Sequence, residues 1–279
     1  MKVSVISTGS VQIRPEHVGP TRQPTYLWLM VTARSWTPPR PINAYVIEHP
    51  EGVVLFDTGQ DIASVTDPAY FPGGPTGHLY DRLAKFDITP AQTLAASLRR
   101  LGHEPGDVHT AILSHLHQDH IGGLRELTRS RILVGATEWD DMRKPFPAQR
   151  GFLRTHIDVP GLRWERVTPE ALGDADLGPF TTGHDLFGDG ALTVLPTPGH
   201  TAGSQSLLVR RPGQAPLLMV GDLTYDADLL AAGEIPGVGA RKTMRRTVAM
   251  VNELRRSHPD LVVLPAHDPG AADRLVAAG

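Results

Sequence analysis

Apolar positions follow two alternating rhythms along this chain, and the order of those rhythms repeats. NAYVIEHPEGVVLFDTG, starting at Asn43, holds two apolar runs joined at Pro50-Glu51-Gly52, which predicts a hairpin whose second strand ends at Asp57. In TPAQTLAASLRRLG the period becomes helical. Thr89 can cap, Pro90 suits the first turn, Leu94, Leu98 and Leu101 share a face, and Gly102 can end the helix. HTAILS then reads as a buried strand running into His115. Later the same order returns: SQSLLVRRPGQAPLLMVGD predicts a hairpin ending in Asp222, ARKTMRRTVAMVNELRRS a helix, and DLVVLPAH a strand ending in His267. Two hairpin–helix–strand units predict an α/β fold of two packed sheets with helices outside, a four-layer αββα sandwich forming a single domain over 1–279. Ligand sites gather beyond the carboxyl ends of sheet strands, which is where Asp57, His115, Asp222 and His267 fall.

Two stretches, near 14–41 and 139–190, lack either rhythm and are rich in Pro, Gly and aromatics. They read as loop insertions over the site and as the place where substrate contacts reside. Any single aromatic there, such as Trp28, Trp36, Phe146, Phe152, Trp164, Phe180 or Phe187, reads first as a loop anchor.

Composition narrows the function classes. With 279 residues, 40% hydrophobic and 20% charged, the chain can bury a sizeable core. No apolar run approaches the roughly 18 residues of a membrane span. A net charge of −3 gives no electrostatic reason for a nucleic-acid partner. Arg241, Lys242, Arg245, Arg246, Arg255 and Arg256 share a segment with Met244, Val248, Val251 and Leu254 at helical spacing, so they read as a solvated helix face. The start, MKVSVISTGSVQIR, alternates like a strand and lacks an apolar leader core, which reads as mature sequence and a cytoplasmic location. Absence of cysteine excludes thiolate nucleophiles and Cys-bound metal, so any metal is held by histidine and carboxylate.

SHLHQDHIGG packs three histidines and an aspartate into positions 115 to 120. Nothing structural requires that density. Imidazole with carboxylate suits Zn²⁺ or a similar first-row divalent ion. If the backbone turns sharply, His115 and His117 face one metal and Asp119 and His120 another, with Gly122 and Gly123 permitting the tight path. The isolated histidines His17, His49, His78, His103, His109, His156 and His258 read instead as surface or satisfied core residues, and His184 stays open.

The H-x-H-x-D-H pattern resembles the signature of the metallo-β-lactamase superfamily, and further pieces match that family's motifs in order. TPGHTAGS resembles the stretch supplying its third site-one histidine, VGDL the one carrying its bridging aspartate, PAHD its final histidine motif, and FDTG its early strand-end aspartate. The resemblance, spanning about residues 43 to 268, implies His115, His117 and His200 on one metal, Asp119, His120 and His267 on the other, and Asp222 bridging. Asp57 would orient a ligating histidine from behind. Two such ions, most simply Zn, with Fe, Mn or Co also compatible, imply a shared hydroxide that attacks an ester-like bond. Asp119 could also carry a proton to the leaving group.

Within the superfamily the chain is most similar to the N-acyl homoserine lactone lactonases, the quorum-quenching group. There a tyrosine three residues after the bridging aspartate contacts the substrate, and GDLTY places Tyr225 at that offset from Asp222. A phenol there can stabilise developing charge; as a plain strand-end tyrosine it would instead find a backbone partner. Two features depart from the group: the last ligand sits in PAHD instead of Gly-His-Asp, and the region between His120 and His200 is long. They leave a phosphotriesterase-like or glyoxalase II-like thioester hydrolase on the same fold as the alternative. The expected partner is a small-molecule substrate, with no nucleic acid and no membrane. The N-terminal loops carrying Trp28 and Trp36, read as exposed, would either form a homodimer interface, as in resembling lactonases, or line the pocket.

Overall fold

The computed structural model describes residues 1–25 and 27–279 in full. Thirteen strands occur in chain order: β1 Lys2–Ile13, β2 Arg40–His49, β3 Gly52–Phe56, β4 Ala84–Asp87, β5 Val108–Ile112, β6 Arg131–Gly135, β7 Arg163–Val167, β8 Glu170–Ala171, β9 Thr182–Asp185, β10 Leu192–Pro196, β11 Gln205–Val209, β12 Leu217–Gly221 and β13 Val262–Pro265. They form a seven-stranded sheet, β4-β1-β2-β3-β5-β6-β7, and a six-stranded sheet, β13-β12-β11-β10-β9-β8.

Side-chain alternation explains the layers. On β2, Ala44 and Val46 pack outward with Leu94 and Leu98 of the helix Leu94–Arg100, while Tyr45 and Ile47 point inward. On β12, Leu217 and Met219 point inward, while Leu218 and Val220 pack outward on Met244, Val248, Val251 and Leu254 of the helix Arg241–Ser257. The two inward sets form one cluster between the sheets. Phe56 in that cluster is fully buried, a burial worth about 1.5–3 kcal/mol for a side chain of its size. Strands buried on both faces must be apolar at every position, which is why these runs read as continuous.

Both hairpins form as expected. β2 and β3 pair antiparallel with His49 opposite Gly52, and β11 pairs antiparallel with β12. The strand following each helix then joins in parallel, β5 on β3 and β13 on β12. The predicted helix over 89–102 is two pieces: a 3-10 turn Pro90–Gln92 capped by Thr89, and the helix Leu94–Arg100 capped by Thr93.

The stretch 139–190 is less of a loop than its composition implies. Residues 163–185 supply edge strands β7, β8 and β9 to both sheets, Trp164 packs against Trp139, and Phe180 is buried beneath the helix Arg241–Ser257. In 14–41, Trp28 is completely buried, contrary to its reading as exposed, because it seats in an apolar cluster with Val11, Ile42 and Tyr225, while Leu27, Met30 and Val31 beside it are exposed. Arg14 covers the Trp36 ring at 3.5 Å. Among the described residues no helix is long and apolar enough to cross a membrane.

Candidate metal centre

Every predicted ligand, and Asp57 behind them, leaves the carboxyl end of a strand: Asp57 after β3, the ligands within His115 to His120 after β5, His200 after β10, Asp222 after β12 and His267 after β13. Backbone bonds stitch the two sheets together at that edge. Asn43 N–H donates to the Ala266 carbonyl at 3.0 Å, and Gln205 N–H to the Ser114 carbonyl at 2.9 Å. The seven side chains therefore meet in three overlapping groups, each with donor atoms within 4.8 Å of one another: His115, His117 and His200; His115, His120 and Asp222; Asp119, His120 and His267.

Four of the five histidines are held from behind. His120 Nδ1 donates to Asp57 Oδ2 at 2.8 Å, His267 Nδ1 to the Pro41 carbonyl at 2.9 Å, and His117 Nε2 to the Arg150 carbonyl at 3.1 Å. His115 Nδ1 lies 2.9 Å from the Ser114 hydroxyl. A carbonyl or carboxylate can only accept, so these contacts leave the opposite ring nitrogens as lone pairs aimed at the centre. His115 Nε2, His120 Nε2 and Asp222 Oδ1 are buried without a hydrogen-bond partner among the described residues. His117 Nδ1 and His200 Nε2 face each other at 3.0 Å. Converging, unsatisfied nitrogen and oxygen donors are costly unless something positive sits among them. The donor set therefore fits a pair of divalent metal ions.

Asp222 lies between the halves. Its Oδ1 is 3.3 Å from His120 Nε2 and 3.4 Å from His267 Nε2, and its Oδ2 is 3.6 Å from His200 Nε2. Asp119 Oδ2 reaches within 3.5 Å of His267 Nε2. Burial pushes His115 well below its ordinary pKa, helped by His120, and brings His200 down to about 3. His120 moves well above, since Asp222 and Asp57 outweigh its burial. Burial disfavours the Asp222 carboxylate, but the neighbouring His267 and His120 overcome it and hold its pKa well below the usual range.

Tyr225 stands three residues beyond Asp222 as predicted, and its partner is that side chain and not backbone: its hydroxyl donates to Asp222 Oδ2 at 2.8 Å. Its ring stacks on His267 with centroids 5.6 Å apart. Burial, then Asp222, lifts its pKa well above the ordinary value, so the proton stays on the phenol.

The centre opens into a cavity of about 590 Å³. Ile13, Leu29, Leu79, Leu83 and Val238 give it an apolar wall, and Asp119, His117, Tyr225 and His267 form its polar end. Of the irregular stretches, 13–29 and 141–152 contribute to this lining, which places the expected substrate-facing role in their first parts only.

Three features had no sequence signal strong enough to find them. His17, classed with the isolated histidines, lines the cavity and is buried beside Tyr225. Glu138 is completely buried and accepts hydrogen bonds from Leu116 N–H at 3.1 Å and Gly203 N–H at 3.0 Å. It thereby ties the loop of His115 and His117 to the loop of His200. Gly151 was likewise unremarked: at φ +88 it lies so close to His117 that a Cβ would come within 2.4 Å of the ring.

The model of the metallo-beta-lactamase superfamily matches residues 37–267, and the chain belongs to that superfamily. Among curated relatives, N-acyl homoserine lactonase AttM of Rhizobium radiobacter is 33% identical over 234 residues, covering 83% of each chain. N-acyl homoserine lactonase of Bacillus thuringiensis is 28% identical over 200 residues, 71% of this chain and 70% of its own. Of solved structures, a variant of B. thuringiensis AiiA with N-decanoyl-L-homoserine at its active site superposes with a TM-score of 0.75 at 22% identity, covering 96% of this chain and 93% of that one. AidC, a dizinc quorum-quenching lactonase, gives 0.61 at 17% identity over 96% and 87%. The chain is accordingly a metal-dependent hydrolase with the donor set of a dinuclear centre.

Proposed function

We propose that this protein opens the ester ring of N-acyl homoserine lactones. The observation that carries the reading is the Tyr225 hydroxyl held on Asp222 at the polar end of an apolar-walled cavity. Similarity to AttM, a lactonase by name, supports it. In this reading His115, His117 and His200 hold one ion, Asp119, His120 and His267 the second, and Asp222 both. The ions are zinc, and the compartment is the cytoplasm. Bound there, the ions supply an activated water and polarise the ester carbonyl.

The chain's own residues do the rest. The apolar wall takes the acyl chain, which leaves the lactone ring at the polar end. Tyr225, a neutral phenol, turns its one O–H from Asp222 to the oxygen that gains charge as the carbonyl carbon becomes tetrahedral. The ring C–O bond then breaks, and Asp119, facing the cavity beside His267, passes the proton from water to the departing alkoxide. Products are a free carboxylate and a hydroxyl on one open-chain molecule.

Ring opening releases acid, so a pH-stat reads it directly. Purified protein with its metal content quantified is expected to turn over short- and long-chain N-acyl homoserine lactones with about two metals per chain. Two metals with no turnover of any acyl chain length, but hydrolysis of a phosphotriester or a thioester, would overturn the lactonase reading and leave the dinuclear hydrolase in place.

A further inference from the structure

His17 belongs to the helical turn Pro15–Val18 that follows β1, and Tyr225 touches both it and the ligand histidine His267. Its ring meets Trp28 edge-on at 5.1 Å and Tyr225 edge-on at 6.0 Å. The residue is 6% exposed and lines the cavity, yet its Nδ1 is sealed among protein atoms with no hydrogen-bond partner among the described residues. A buried imidazole that neither binds metal nor pairs with a neighbour needs another reason to be polar, because phenylalanine would fill the same edge-on slot.

Geometry indicates the proton's place. An orphaned buried N–H is costlier than an orphaned lone pair, so the neutral ring carries its hydrogen on Nε2, the nitrogen not sealed off. Burial also keeps the ring uncharged, lowering its pKa to about 4. His17 thus presents a neutral donor one ring's width beyond Tyr225, where the apolar wall of Ile13 and Leu29 begins. With an ester carbonyl at Tyr225, the substituent on the neighbouring ring carbon would come within reach of His17, since the two side chains are in ring contact and line the same cavity.

We infer that His17 is a specificity-determining residue that donates a hydrogen bond to the amide carbonyl of a 2-acylamino substituent and so selects acylated over unsubstituted lactones. This rests on the lactonase reading. The substituent's amide would otherwise enter an apolar wall with its carbonyl unpaired, which weakens binding.

The test compares N-hexanoyl homoserine lactone with γ-butyrolactone, which lacks the substituent, on the parent protein, His17→Phe and His17→Gln, each with metal content measured. His17→Phe keeps the edge-on packing and removes the donor; glutamine restores an N–H near the position of Nε2. Expected are an approximately tenfold rise in KM for the acylated lactone in His17→Phe, a change below about twofold for γ-butyrolactone, unchanged metal content, and recovery in His17→Gln. Equal loss on both substrates, or loss on neither, overturns the inference. Should His17→Phe fail to fold, His17→Leu, which also removes the donor, takes its place with the same outcomes, and His17→Gln remains the rescue. Failure of the lactonase reading is distinguishable because the parent protein itself would then not open the acylated ring.

Discussion

Asp57 does two jobs with one side chain. Its Oδ1 accepts the Ser114 N–H at 2.7 Å, while Oδ2 accepts the Ser114 hydroxyl at 2.9 Å and His120 Nδ1 at 2.8 Å. It thereby fixes both the backbone entering the histidine cluster and the orientation of one ligand. Asp57 sits at φ +62, a conformation asparagine also tolerates, so Asp57→Asn preserves the turn while replacing one acceptor oxygen with an N–H₂ group. Affinity for the second metal is expected to fall about 10–100-fold, with the first retained; metal titration reads both, and equal loss at both sites would show that Asp57 supports the loop and not His120. At this scale the converging donors were legible because H-x-H-x-D-H concentrates rare chemistry in six positions. His17 and Glu138 were not, since their meaning comes from Tyr225 and from Leu116 and Gly203, partners distant in sequence that only the fold brings close.

At the scale of elements, the hairpins and the strands after each helix were readable because alternation and continuous apolar runs are local patterns. The helix over 89–102 split because Thr89 and Thr93 both cap: Thr93 at ψ 156 accepts from Ala96 N–H, offering the backbone a bond outside the helical ladder. The short helix Ala136–Met142 matters more than its length implies, since it carries Glu138 into the space between two ligand loops. Burial raises that carboxyl to about 7, against the hydrogen bonds from Thr201, Leu116 and Gly203. The folded-state value lies above the ordinary 4.5, so the fold favours the protonated acid. That contribution is fully present below pH about 4.5 and is lost as pH rises through about 7. Metal-free protein is therefore expected to lose stability between pH 5 and 8, by on the order of 3 kcal/mol from this group. Glu138→Gln, which cannot titrate, should flatten that slope in denaturant titrations at several pH values; an unchanged slope would assign the pH dependence elsewhere.

For the whole molecule, the two hairpin–helix–strand units tempt a division into two halves, and their packing argues against independence. The cluster between the sheets draws Tyr45, Val54 and Phe56 from one and Leu207, Leu217 and Met219 from the other, so neither half keeps its apolar face covered alone. The candidate metal centre spans the same seam, with His115, His117, Asp119 and His120 from the first half, backed by Asp57, and His200, Asp222 and His267 from the second. What sequence could not supply was the closing of the sheets by β7, β8 and β9, because short edge strands carry too few alternating positions to stand out from loop. We propose that the chain unfolds as one unit stabilised by its ions. Metals that bind only the folded state add RT ln(1 + [L]/Kd), about 4 kcal/mol per site at a thousandfold excess over Kd. Calorimetry on metal-loaded protein should give a single transition that moves down in temperature when a chelator is added and stays single. Two transitions, one of them insensitive to chelator, would mean that one half folds without the seam and that the shared cluster does not couple the sheets.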